Sequence, residues 1–485
     1  VSPWLTGDQR NKAGEAWNIR ARQKDMKRRG RRIHGGCIAA ALVLALAASR
    51  ASARPGDLDP NFGDHGRVTT AAELNEPWLG RTGFGIAEAP RGTLAVASDR
   101  TLVRYLPDGR LDPRFGDGGI VKIAVTEGLR FSLSDIAVDR EGRVVLFGRA
   151  VDASTPLQPV FPAYPAGFLF PSLAAILRYQ RNGQLDPSFG DDGIVLTDFG
   201  LPPAPPYKTP VVAGTVGTVD SQDRPILIGG VEEEVGSCGH GVFGLLDRLI
   251  ARLKPNGKLD PSFGEGDGIS FLPNRNERVS DITLDRHGGP ILAAAPREEC
   301  GENPHLAVVR MHAHGTLDRS FGTNGMRIYA ERVIPPGTLA LDRFERILVM
   351  AGGLLRLTPG GNLDKSFGQQ GGEATFPIPG NGQSEVDLAA VDSRGRPLLA
   401  GTLLEGSGEG HDDGFIMIRL RTSGEPDRSF GHGGFAITRF GRHSTASARG
   451  ALIDRKGRLV VAGMVMRPSF EPTGGFALAR YTLKG

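Results

Sequence analysis

Cysteine, tryptophan and long apolar runs are scarce in this chain of 485 residues, which holds three Cys, three Trp and 7% aromatic residues. Three cysteines cannot build a disulfide-dense small scaffold, and their spacing fits no zinc module. The apolar stretch Cys37 to Ala48 is too short for a bilayer, which takes about 20 such residues. No segment after it keeps a convincing helical period, which argues against a helical bundle. Catalytic signatures are missing too: there is no G-x-S-x-G elbow, no H-E-x-x-H pair and no Walker loop.

An excess of basic charge is also missing from most of the chain. The formal charge is +4, but residues 1–53 hold 11 Lys and Arg against 3 Asp and Glu. Residues 54–485 keep 47 against 51, so they are slightly acidic and give no footing for nucleic-acid binding. The leader itself reads as an export signal. KRRGRR (Lys27 to Arg32) precedes the apolar run, and Ala51-Ser52-Ala53 follows it as an A-x-A cleavage site. Cleavage is expected near Ala53/Arg54, with Met26 the natural start and the residues before it an over-extension. The expected product is secreted or held in the cell envelope, with no membrane span once the signal is removed.

What the chain does have is one motif, seven times over. Gly183 to Gly193 reads GQLDPSFGDDG, and its Asp recurs at Asp59, Asp112, Asp186, Asp260, Asp318, Asp364 and Asp427. Three residues after each stands a Phe: Phe62, Phe115, Phe189, Phe263, Phe321, Phe367 and Phe430. A glycine precedes each Asp by three and another follows each Phe. The Asp positions lie 46 to 74 residues apart, a period that signals propellers or solenoids.

Between motifs lie short β-branched runs punctuated by Gly and Pro. In one unit they are SDIAVD (Ser134 to Asp139), RVVLFG (Arg143 to Gly148), LAAILRY (Leu173 to Tyr179) and IVLT (Ile194 to Thr197). Four short strands per unit, repeated seven times, predict an all-β fold: a seven-bladed β-propeller. A linear solenoid is the alternative, and the ends of the repeat argue against it. Six third strands carry an Arg eight residues before a motif Asp, from Arg104 and Asp112 to Arg419 and Asp427. Arg480 has no Asp after it, and Asp59 has no Arg before it. The two fit together if the mature N-terminal segment pairs with the C-terminal blade, which removes the open edges. Residues 54–485 are thus expected to form one propeller domain.

These residues resemble the delta-60 repeat family of bacterial propellers, and more loosely the NHL-type propellers. The resemblance covers nearly all of residues 54–485 through G-x-L-D-x-S-F-G-x-x-G. Pro426 replaces Leu in the seventh copy, and GEGDG (Gly264 to Gly268) adds a residue to the fourth. The resemblance implies architecture more than activity. Some NHL-like propellers are lyases or lactonases, which keeps an enzyme in view.

The motif reads as structure. Its Asp suits backbone amides or the upstream Arg, its Phe wedges between blades, and its glycines permit positive φ. Calcium is the lesser reading, because only the first carboxylate is constant and no EF-hand spacing appears. No cofactor or metal is expected. Function is sought where units depart from the repeat, in the stretches between second and third strands. Candidate ligand-binding residues there are Glu232, Glu233, Glu234, His240, Glu298, Glu299, His305, His411, Asp412 and Asp413. Cys238 and Cys300 sit in equivalent stretches of adjacent units and are expected to pair in an oxidising compartment. His312 and His314 read as a surface turn rather than a metal pair. The leading expectation is a monomeric binding or scaffold module for a protein or glycan, and the alternative is a channel-mouth enzyme.

Overall fold

Runs of Val, Ile, Leu and Ala cut short by Gly, Pro and Asp favour strands over helices. The computed structural model describes residues 53–71, 83–154, 172–200, 216–235, 242–273, 277–296, 305–329, 337–379, 384–405, 413–441, 444–466 and 474–484. Among them are seven four-stranded antiparallel sheets and a single 3-10 turn at Pro90–Gly92. The fold is a seven-bladed β-propeller.

Blades 1 to 6 follow one another along the chain, from Phe84 to Thr438. Blade 2 shows the pattern: Leu129–Val138, Val144–Asp152, Ser172–Tyr179 and Ile194–Thr197 pair in that order. Blade 7 contributes Thr445–Ile453, Leu459–Met466 and Gly475–Tyr481, and its fourth strand is Arg67–Ala71. That strand runs antiparallel to the third, from Arg67 opposite Ala479 to Ala71 opposite Gly475.

First strands of successive blades contact one another at all seven junctions, blade 7 to blade 1 included. They therefore ring the axis. Second and third strands are covered on both faces by neighbouring blades, which is why VVLF and LAAIL read as unbroken apolar runs. The apolar core is divided into seven wedges, one at each junction.

The strand directions give the ring two unlike ends. Hairpins between first and second strands, and the repeated motif after the third, lie at one end, hereafter the motif end. The second-to-third connections lie at the other, the insertion end. There the chain passes from Asp152 to Ser172 in blade 2, Pro296 to Leu306 in blade 4 and Leu403 to Gly414 in blade 6.

Candidate functional site

Each motif is a clasp between one blade and the next. Asp186 receives the Ser188 amide at 3.1 Å and its hydroxyl at 2.7 Å on one oxygen, and Arg178 Nε at 2.8 Å on the other. The Arg178 guanidinium lies 4.4 Å from the centre of the Phe189 ring and donates to the Pro255 carbonyl of blade 3. The Gly190 amide donates to Asn256 O of blade 3 at 2.9 Å. Gly257 of that turn has φ +85°, and a Cβ there would lie 2.6 Å from Gly190 N. Glycine is required by both conformation and space.

The Arg–Asp pair recurs in all seven blades, Arg480 with Asp59 included at 3.0 Å. Every motif Phe is fully buried under its Arg, 4.2 to 5.2 Å from guanidinium carbon to ring centre. Burial pushes the Asp186 carboxyl up, but Ser188 and the guanidinium groups of Arg178 and Arg143 outweigh it and hold it low. The Asp318 carboxyl is held down at about 2, burial again being overcome by Ser320 and Arg310.

Sequence reasoning missed a second arginine. The hairpin Asp of five blades binds an Arg four residues on: Asp139 with Arg143, Asp220 with Arg224, Asp342 with Arg346, Asp392 with Arg396 and Asp454 with Arg458. Each of these Arg side chains also reaches its blade's motif Asp, at 2.9 to 3.7 Å. The signal was present as D-x-x-x-R, repeated five times in DREGR, DSQDR, DRFER, DSRGR and DRKGR.

A second constellation lies around the axis. Asp135, Asp281 and Asp387 belong to the first strands of blades 2, 4 and 6, opposite Phe147, Ala293 and Ala400. Those partners occupy one register, so the three aspartates stand at one height on alternate blades. β-Bulges at Ser134 and Ser280 immediately precede two of them. All three are half-buried and bind the neighbouring blade's first strand or its leading residue. Asp135 accepts Gly217 N at 3.3 Å, Asp281 accepts Leu339 N at 2.7 Å, and Asp387 accepts the Thr338 hydroxyl at 2.7 Å. Burial pushes the Asp135 carboxyl up to about 6. Asp281 is pushed to about 7 by burial first, then by the charges of Asp135 and Asp387. Asp281 thus feels carboxylates from two non-adjacent blades, as first strands that ring one axis bring them towards each other.

One repeat matches a known family. Residues 235–263, the third strand and motif of blade 3, match the model of a domain of unknown function (DUF5122) beta-propeller. No curated protein matches the chain in sequence. Among solved structures, an inactive virginiamycin B lyase from Staphylococcus aureus with quinupristin is 13% identical. It has a TM-score of 0.43, covering 85% of this chain and 98% of that one. A gluconolactonase from Xanthomonas campestris is 14% identical with a TM-score of 0.38, covering 89% and 97%. An alpha-L-arabinanase from Penicillium chrysogenum is 10% identical with a TM-score of 0.39, covering 86% and 98%. At these values the likeness carries nothing about chemistry.

The candidates from the sequence are placed as follows. Glu232, Glu233 and Glu234 are strand residues, not loop residues. The second strand of blade 3 continues to Val235, past a bulge after Val231, because Val242–Arg252 extends far enough to pair with it. His305 precedes the third strand of blade 4; its Nδ1 is buried with no hydrogen-bond partner among the described residues. Asp413 precedes the third strand of blade 6 and accepts the Glu405 amide at 3.2 Å. All of these positions belong to the insertion end. His240, Glu298, Glu299, His411, Asp412, Cys238 and Cys300 lie outside the described residues. His312 and His314 stand in a turn closed by His312 N to Thr316 O, with rings stacked 5.5 Å apart. Among the described residues no group of three or more His, Cys, Asp or Glu could hold a metal ion.

Proposed function

We propose that residues 54–485 act outside the cytoplasm as a monomeric binding module, with a protein or glycan ligand engaged at the insertion end. The carrying observation is the asymmetry of the ring. Motif carboxylates and guanidiniums are tied to one another and to the next blade, whereas the connections that vary between blades all spring from the opposite end. A rigid scaffold that holds unlike segments at one end supports recognition. Export rests on the leader's basic, apolar and A-x-A segments. The test is a glycan array and protein-binding screen with the full chain and a variant whose residues 155–171 are replaced by a short Gly-Ser turn. Saturable binding lost in the variant, with melting unchanged, supports the reading. Binding that survives shortening of every long insertion overturns it.

The second reading is acid–base catalysis at the axial carboxylates. It is favoured by Asp135 and Asp281, whose raised pKa values let them hold a proton near neutrality. Turnover of lactone or lyase substrates that disappears in Asp281→Asn would establish it. Turnover unaffected by Asp135→Asn and Asp281→Asn would remove it.

A further inference from the structure

At three junctions of the motif end, the residue after the hairpin Asp, or the corresponding one, donates its amide to a carboxylate on the next blade. Arg140 N meets Asp223 at 2.9 Å, Arg286 N meets Glu345 at 3.5 Å, and Arg455 N meets Glu88 at 2.9 Å. These contacts define a place in the fold where an amide faces an anion built into the chain. Between blades 6 and 7 the donor position is Ser393, and the position of Asp223 and Glu345 is taken by Gly457. Junctions 1–2, 3–4 and 5–6 also carry glycine there, at Gly142, Gly288 and Gly395.

Junction 6–7 differs in what surrounds that place. A cavity of about 360 Å³ opens between the two hairpins and the turn at Leu483 and Lys484. The exposed side chains of Arg394, Lys456 and Lys484 line it and form no ion pair among the described residues. Arg455 lines it too, 3.8 Å from Glu88. The two carboxylates in the wall are neutralised: Asp392 is bound by Arg396 and Asp454 by Arg458, each also receiving backbone amides. The cavity thus presents uncompensated positive charge to solvent, although residues 54–485 as a whole are slightly acidic. Cations held around a concave site of this volume suit a small anionic group.

We infer that the groove between blades 6 and 7 is a binding site for an oxyanion-bearing ligand, in which the external anion takes the place that Asp223 and Glu345 fill elsewhere. The shared chemistry is a carboxylate, phosphate or sulfate group, free or carried on an acidic sugar. The site lies at the end opposite the insertions, so it stands independently of the binding function proposed above.

The experiment is titration calorimetry of the full chain in low salt, with inorganic phosphate, inorganic sulfate and a trigalacturonate oligomer as probes. The comparison set is wild type, Arg394→Gln/Lys456→Gln and a charge-matched control, Arg319→Gln/Lys365→Gln, whose exposed cations sit at the motif end of other blades. Saturable binding weakened at least tenfold in the first variant and unmoved in the control supports the site. Tighter binding of the oligomer than of the inorganic ions identifies a sugar source, and the reverse identifies a free ion. No saturable binding of any probe, or equal weakening in both variants, overturns the proposal. Shortening residues 155–171 leaves this binding unchanged, which separates its failure from failure of the insertion-end reading.

Discussion

The two ends of the ring are built from the same strands but solve different problems. At the motif end every blade repeats one arrangement: an Arg over a buried Phe, its Asp, and a backbone bond to the next blade. At the insertion end each blade differs in how its second and third strands are joined. Stability is concentrated where the units agree, and freedom to vary is concentrated where nothing bridges blades by a repeated rule. A propeller needs this division, since each blade buries its apolar faces only against neighbours.

That contrast can be broken at the motif end, where the largest effect is expected. Arg178→Ala leaves the buried Asp186 with Ser188 as its hydrogen-bond donor and the more distant Arg143 as its cation, and uncovers Phe189. A loss of about 3–5 kcal/mol is expected in urea denaturation. Phe189→Ala is expected to cost a similar amount, about 3–5 kcal/mol, through the cavity it leaves. A midpoint like that of wild type for either variant would remove the clasp from the account.

The next effect is a dependence on pH, and the two sites pull in opposite directions. The Asp281 carboxyl rises from 3.8 to about 7 on folding, so its contribution is fully present below pH 4 and is lost as pH rises towards 7. Asp281 is only half-buried, so solvent screening reduces the effect, and a swing of roughly 2 kcal/mol is expected. Asp318 is depressed to about 2, so its contribution is present above pH 4 and is lost as pH falls through 2. Thermal melting should therefore peak on the acidic side of neutrality. Asp281→Asn should flatten the fall between about pH 4 and 7 while leaving the acid limb in place. A wild-type curve that is level across that range would contradict the burial of Asp281.

A smaller effect is expected from Gly183→Ala, because φ is +85° and the new methyl would lie 2.6 Å from Gly116 N. A loss of about 1–3 kcal/mol in melting experiments would match backbone strain of this kind. The smallest is expected at the insertion end. Replacing residues 155–171 by a short turn should shift stability by less than about 0.5 kcal/mol. A large loss there would show that the insertion is part of the scaffold and would dissolve the contrast between the ends.

Much of the motif end could be read directly from the chain. The spacing of Asp186 and Phe189, and Arg178 eight residues before the Asp, recur in register because a turn of fixed length joins the third strand to the motif. The second arginine, Arg143 and its equivalents, recurs in five blades at a fixed spacing from the hairpin Asp. Its meaning depends on a guanidinium reaching across the blade to a carboxylate 43 positions along the chain in blade 2. The strand assignment of Glu232 to Glu234 was hidden because three consecutive acids look like a solvated loop. Their backbone pairing comes from the partner strand, not from their own propensity.

The order of residues determined the number of blades, the strands within each and the clasp at each motif, because those depend on short, repeated spacings. The axial ring is a different matter. Asp135, Asp281 and Asp387 are 146 and 106 residues apart, with bulges setting the register of their strands. The charge of Asp135 and Asp387 acts on Asp281 only once the blades surround one axis. The open groove beside Ser393 and Gly457 is likewise a property of two hairpins set side by side. Charge coupling and cavity shape depend on distance in space, and that distance was decided by tertiary structure.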